Sequence, residues 1–306
     1  MRSAGRYAPS PTGRQHLGNA RTALLAWLSA RRGGRAFVLR VEDLDPGRSR
    51  PIFEQTVIAD LRWLGLDWDE GPDTGGALGP YRQSQRSELY AAALARLSSY
   101  ACTCTRRSLR EVASAPHGIE PVYPGTCREH ARVSAGAAAI RWRAPPGIAQ
   151  ADDLRLGRLA QDVATEIGDF VLRRGDGAWA YQLAVVVDDA AMGIDEVVRG
   201  EDLWRVTPRQ VWLQRALSLP TPRYLHVPLL LGPDGDKLSK RHGAPDLATL
   251  REGGADPARV VAELARSCGL LDAATQRVSP RELVAEFEPA RLCGAGTPVD
   301  PARLRA

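Results

Sequence analysis

The apolar positions of this chain change period several times, and the changes outline an α/β protein. Residues 6–8 read as a short strand, and Pro9, Pro11 and Gly13 punctuate the loop after it. Leu17, Leu24, Leu25 and Leu28 then follow a helical spacing that Gly33 and Gly34 bring to an end. The stretch Phe37 to Asp43 predicts a buried strand whose period of two puts Arg40 and Glu42 on one side. An amphipathic helix is expected over 51–64, with Ile52, Val57, Ile58, Leu61 and Leu64 on its apolar face and Gly65 closing it. Residues 66–72 read as loop. A further helix over 84–97 carries Leu89, Tyr90, Ala93, Leu94 and Leu97 on one face.

Beyond residue 100 the pattern turns to short strands, at 139–143 and 170–174, the second followed by a Gly175-Asp176-Gly177 turn. The apolar run at 179–189 predicts a return to the main sheet. Residues 197–202 read as a strand end, Thr207 and Pro208 open a helix to about residue 217, and 226–231 form a last strand. Short helices are expected at 257–268 and 279–287. The organisation this predicts is a nucleotide-binding sheet in two halves, 1–99 and 179–231, interrupted by an insertion at 100–178 and followed by a lysine-containing loop and helical region at 232–306. No internal repeat or low-complexity tail interrupts it.

The totals narrow the class. With 306 residues the chain is long enough for one large or two ordinary domains. No apolar run approaches the length of a membrane span, so no membrane partner is expected. The first strand begins almost at once and leaves no room for a signal peptide. Five cysteines, an odd number unevenly spaced, argue against a disulfide framework and for a reducing, cytoplasmic setting. A net charge of +5 suits a polyanionic partner, although a genome rich in G and C would also supply many arginines.

Two stretches carry candidate chemistry. A strand that delivers a loop onto a helix N-terminus makes an anion site, because unpaired N–H groups and the helix dipole both favour negative charge. Here that junction holds His16, Gly18 and Asn19. It is neither a Walker loop nor a Gly-x-Gly-x-x-Gly turn. Taken alone it is equally an ordinary turn with an ordinary loop histidine. Far downstream, residues 232–243 form a Gly-rich polar segment containing Lys237 and Lys240, for which a solvated charge run is the plain alternative.

Three of the five cysteines, Cys102, Cys104 and Cys127, fall within 26 positions. Cys-x-Cys with a third Cys makes a tetrahedral zinc site if one more ligand lies near, and Tyr123, His117 and His130 are candidates. Spacing alone equally allows three reduced thiols.

The pairing of His16-Leu17-Gly18-Asn19 with Lys237-Leu238-Ser239-Lys240, in that order, resembles the two signatures of class I aminoacyl-tRNA synthetases. The phrases Ala8-Pro9-Ser10-Pro11-Thr12-Gly13, Arg40-Val41-Glu42-Asp43-Leu44-Asp45 and Val198-Arg199-Gly200-Glu201-Asp202-Leu203 narrow the likeness to the glutamate branch. The resemblance implies a Rossmann-type parallel sheet with an inserted zinc-containing subdomain. It implies ATP, with Mg2+, held by His16, Gly18, Asn19 and Lys240, and a closing loop that brings Lys237 and Lys240 to the phosphates. L-glutamate would sit with its ammonium on Glu42 and its carboxylates on Arg6 and Arg199, Tyr181 supplying a hydroxyl and Tyr7, Ala8, Pro9 and Ser10 lining the pocket. For Arg199 the plain alternative is an ion pair with Glu201 or Asp202; for Arg40, one with Glu42 or Asp43. The phrase Tyr-Pro-Gly-Thr-Cys resembles the family's zinc insert and implies one structural zinc on Cys102, Cys104, Tyr123 and Cys127.

Only 63 residues follow Gly243. A compact chain of this length has a radius of gyration of about 19 Å, too small to reach from a tRNA acceptor end to its anticodon. An anticodon-binding domain is therefore not expected, and the shortened layout resembles the glutamyl-Q tRNA(Asp) synthetase family. That resemblance implies a monomer that esterifies glutamate to the queuosine base in the anticodon stem-loop of tRNA(Asp). The alternatives are a minimal glutamyl-tRNA synthetase charging the 3′ end of tRNA(Glu), a related nucleotidylyltransferase, and a non-catalytic RNA-binding paralogue.

Overall fold

A computed structural model describes residues 3–104, 122–129, 138–231, 238 and 245–292. Strand β1 (Ala4–Tyr7) is buried along its whole length. Helix α1 (Leu17–Arg32) returns the chain to β2 (Ala36–Leu39), which pairs with β1 in parallel register from Ala4 opposite Ala36 to Tyr7 opposite Leu39. Gly34, at φ +63°, takes the left-handed turn that lets the helix stop and the strand begin so close by. Helix α2 (Pro51–Trp63) and helix α3 (Ser87–Ala95) follow; α3 is shorter than its spacing predicts because residues 83–85 form a separate 3-10 turn. Ile52 and Leu89 do not join the core faces expected of them: they are 61% and 42% exposed.

The chain then builds β3 (Ser99–Cys102), β4 (Ala139–Trp142), β5 (Ile148–Asp153), β6 (Gly157–Asp162) and β7 (Val171–Arg173). Strands β3, β4 and β7 form an antiparallel sheet of their own. The β5–β6 hairpin instead joins the main sheet through β9 (Arg223–Val227). The run at 179–189 is helix α4 (Tyr181–Ala191), not a strand. Leu183 to Asp189 are all buried, and an apolar run buried all round has no period that tells helix from strand. Strand β8 (Ile194–Gly200) follows, then helix α5 (Thr207–Ala216). Strand β9 ends at Val227, ahead of the expected 226–231, because Pro228 has no N–H for the ladder.

The main sheet runs β2-β1-β8-β9-β5-β6, parallel except for the β5–β6 pair. The C-terminal helices α6 (Leu247–Glu252), α7 (Pro257–Arg266) and α8 (Pro280–Leu283) follow, α8 opening on a Ser279–Glu282 capping box. Helix α1 is buried between the sheet and this region, which is why apolar residues surround it on nearly every side. The Arg21 guanidinium crosses that layer, donating to the Pro228 carbonyl at 2.5 Å and to Ser267. No helix among the described residues is long and apolar enough to cross a membrane.

Candidate active site

Strand order reverses at β1, whose neighbours β2 and β8 lead away on opposite sides. Open parallel sheets leave a crevice beyond the carboxyl ends of the strands at such a point. A cavity of about 510 Å3 occupies it, within the usual range for small-molecule sites. Arg6 to Ser10 line it from the end of β1, and Val198, Arg199 and Gly200 from the end of β8. Glu42 and Tyr181 enter from the end of β2 and the start of α4, while His16, Gly18 and Asn19 bring the first turn of α1.

The helix end is suited to an anion. His16 occupies the N-cap without a side-chain cap bond, and the first turn carries no acidic residue. A Cβ on Gly18 would come 3.1 Å from the His16 ring, so glycine lets the ring and the turn pack together. The Tyr7 hydroxyl ties the loop down, bonding Gln15 at 3.2 Å and the Asn19 carbonyl at 3.4 Å.

Opposite lies a network of buried charge. Asp189 lies 2.7 Å from Arg40 and 3.3 Å from Arg6. Arg40 also reaches Glu42 at 3.1 Å, the pair weighed from the sequence, while Asp43 caps Ser84 instead. Burial pushes the Glu42 carboxyl up, against the pull of Arg40 and Arg6. Burial opposes the charge of Asp189 as well, but Arg40 and Arg6 outweigh it and hold that carboxyl below its ordinary range.

Arg199 is buried and has no ion pair among the described residues. Its bonds go to Nε2 of His226 at 3.0 Å, Gln210 at 2.8 Å, Thr207 at 2.8 Å and the Tyr181 hydroxyl at 3.4 Å. Glu201, the partner expected of it as a plain ion pair, turns to Arg155. Asp188, Asp189, Thr207, Gln210 and His226 escaped sequence reasoning. Two aspartates closing an apolar run were the one visible signal among them, since such a run would have to bury their charge. Lys237 and Lys240 lie outside the described residues.

A second cluster lies at the end of the antiparallel sheet. The sulfurs of Cys102, Cys104 and Cys127 lie within 4.8 Å of one another, with Cys104 and Cys127 3.6 Å apart. Sulfurs bound tetrahedrally at about 2.3 Å from one ion would be about 3.8 Å apart. The Tyr123 hydroxyl is 3.4 Å from Cys102 and 3.6 Å from Cys104. Arg141 donates to Cys102 at 3.2 Å and stacks over the Tyr123 ring at 3.9 Å, offsetting thiolate charge. The donor set therefore fits a soft divalent ion. His117 and His130 lie outside the described residues.

A parallel sheet with its cavity at the switch point, a histidine-bearing helix end on one side and buried arginines on the other defines a nucleotide-type α/β enzyme site. Residues 4–303 match the family of class I tRNA synthetases (E and Q), catalytic domain, and the chain belongs to that family. It is 52% identical to the glutamyl-Q tRNA(Asp) synthetase of Symbiobacterium thermophilum, covering 99% of this chain and 96% of that protein. It is 48% identical to glutamate–tRNA ligase 2 of Acidithiobacillus ferrooxidans, over 83% of this chain but 55% of that one. Among solved structures, the glutamate-tRNA synthetase of Elizabethkingia anophelis superposes with a TM-score of 0.85 at 28% identity, covering 99% of this chain and 69% of that one.

Proposed function

We propose that the protein activates L-glutamate with ATP and transfers the glutamyl group to the queuosine base in the anticodon of tRNA(Asp). The observation that carries this reading is likeness along nearly the whole chain to a protein of that name, at 52% identity. The cavity chemistry agrees with the first step. A glutamate carboxylate oxygen attacks the α-phosphate of ATP, a P–O bond forms, and pyrophosphate leaves with its bonding electrons. A hydroxyl of the modified base then attacks the acyl carbon, and AMP departs.

No protein nucleophile is needed; the work is positioning and charge. The first turn of α1, with His16, Gly18 and Asn19, offers N–H groups to phosphate oxygens. Lys237 and Lys240 are proposed to close over the nucleotide, and Mg2+ enters with ATP as part of the substrate. Glu42 receives the ammonium group, Arg6 and Arg199 the carboxylates, and Tyr181 adds its hydroxyl, with Tyr7, Ala8, Pro9 and Ser10 as the wall. Glutamine would leave Arg199 without a counter-charge, at about 1–3 kcal/mol or more. A zinc ion held by Cys102, Cys104, Cys127 and Tyr123 would brace the small sheet and take no part in the chemistry. Basic surface would meet the RNA, making binding salt-dependent. A monomer in a reducing cytoplasm completes the proposal.

The test pairs two assays. Glutamate-dependent ATP–pyrophosphate exchange without tRNA is expected, followed by transfer of labelled glutamate to queuosine-containing tRNA(Asp). Transfer to the 3′ adenosine of tRNA(Glu) instead would make the chain a minimal glutamyl-tRNA synthetase, and absent exchange would refute glutamate activation altogether.

A further inference from the structure

The side chains that hydrogen-bond Arg199 hold its position and carry no charge, while a carboxylate in its field, Asp189, makes no ion pair with it. Its Nε, Nη1 and Nη2 donate to His226, Gln210 and Thr207, all neutral acceptors. A guanidinium has five N–H groups: the second on Nη1 makes only the long 3.4 Å contact to the Tyr181 hydroxyl, which a ligand can displace, and the second on Nη2 has no acceptor among the described residues. Two donors on a fixed fork match a carboxylate.

That arrangement depends on a proton elsewhere. His226 accepts from Arg199 only if its Nε2 lone pair is free, which requires the neutral ring with its proton on Nδ1. Asp153 enforces this state from β5. Its Oδ2 lies 2.8 Å from Nδ1 and 2.7 Å from the His226 backbone N–H. Its Oδ1 accepts the N–H groups of Arg155 and Leu156 at 2.9 and 2.8 Å. A carboxylate with no proton to give leaves Nδ1 as the donor. Thr207 has one hydroxyl hydrogen for two neighbours, the Leu203 carbonyl at 3.0 Å and Nε2 at 3.1 Å, so the tautomer is set by Asp153 and Arg199 and not by this contact. Trp204 packs against the ring at a tilt with centroids 5.0 Å apart and Tyr224 stacks on it at 6.0 Å, while Arg6 is the remaining cation nearby.

We infer that Asp153 and His226 are positioning residues that set the amino-acid specificity of the pocket. By holding the imidazole as its Nδ1–H tautomer, they steady Arg199 through a neutral acceptor and reserve its charge for a substrate carboxylate. This rests on the glutamate reading of the cavity and reaches further: a hairpin strand two places along the sheet governs which ligand the β8 arginine binds.

Asp153→Asn can turn its amide N–H toward Nδ1 and drive the proton to Nε2, which then points a donor at Arg199. His226→Gln supplies an acceptor oxygen that has no tautomers. Glutamate-dependent exchange is measured for the wild type, both single variants and the double variant. Asp153→Asn is expected to raise the KM for glutamate about tenfold or more with the KM for ATP unchanged, as a wrong-tautomer defect should. In the His226→Gln background the same change should add less than about twofold, the coupling expected of residues that act through one another. Equal effects in both backgrounds, or an equal rise in the KM for ATP, overturn the inference.

Should Asp153→Asn not fold, His226→Gln against His226→Leu makes the comparison. Gln is expected to keep the glutamate KM within about threefold and Leu to raise it about tenfold or more, through the unpaired Arg199 Nε; equal losses overturn the inference. Nitrogen-15 spectra of histidine-labelled protein read the tautomer directly, and a proton on Nε2 overturns the proposal whatever the substrate. Wild-type protein with the Nδ1–H tautomer but no glutamate-dependent exchange overturns the specificity role through the failure of the glutamate reading, not of the tautomer.

Discussion

Arg40 and Asp189 meet at 2.7 Å, buried next to the cavity residues Arg6 and Glu42, and the same carboxylate oxygen holds Arg6 at 3.3 Å. One buried aspartate on α4 thus registers the ends of β1 and β2 against each other. Burial opposes the Arg40 charge, yet Asp189, Asp188 and Glu42 together raise its pKa. Removing Asp189 would take from buried Arg6 its one ion-pair partner among the described residues and leave Arg40 with Glu42 and Asp188, and breaking a buried pair in this way costs about 3–5 kcal/mol. Asp189→Ala is therefore expected to lower the Tm by roughly 5–10 °C in calorimetry. A variant that melts with the wild type would mean that the network carries no stability.

Arg199 offers a different readout. Arg199→Lys keeps the charge and loses the planar fork, while Arg199→Gln loses both. Each should cut kcat/KM for glutamate by about a hundredfold or more, the scale expected when a buried charged contact is lost. The KM for ATP in the same exchange assay should stay near the wild-type value. A matching rise in that KM would assign Arg199 to the fold rather than to the amino acid.

The pH dependence of stability follows from His226. Burial, helped by nearby Arg199, lowers its pKa below the ordinary 6.5 despite Asp153. The unfolded chain therefore takes up a proton near pH 6.5, while the folded chain does so only at lower pH. Stability from this group is present above 6.5 and is lost as pH falls below it toward the folded value. Melting curves between pH 7 and 5 should show the loss in the wild type and a shallower decline in His226→Gln. Parallel declines would locate the effect in other groups.

The cysteine cluster gives a direct stoichiometry. Purified protein should carry one zinc per chain by elemental analysis, and Cys104→Ser or Cys127→Ser should lose it. Ion binding is linked to folding at such sites, so strong chelation should also lower the Tm. Intact stability and no metal in a protein purified without chelator would leave three reduced thiols as the correct reading.

Properties that are local in the chain were legible in advance. The strand, punctuated loop and helix from Arg6 onward follow from proline, glycine and a leucine spacing that no distant contact has to decide. The helix beginning at Pro51 and the short strands at Ala139 and Val171 were readable for the same reason, whereas the spacing of Cys102, Cys104 and Cys127 allowed a cluster without requiring one. Where burial is complete, local pattern stops discriminating. Residues 181–191 are as apolar as a central strand, and packing alone makes them helix.

The sequence by itself therefore determined which residue types stand at each strand end and helix start, because those choices answer to backbone geometry nearby. Only the tertiary structure decided their partners. It brought Asp153, 73 positions away, to the His226 ring, and Asp189, 149 positions away, to Arg40. It also surrounded Arg199 with neutral acceptors rather than with neighbouring Glu201. Coulomb and hydrogen-bond energies in a buried site depend on distance in space, and no periodicity along the chain encodes that.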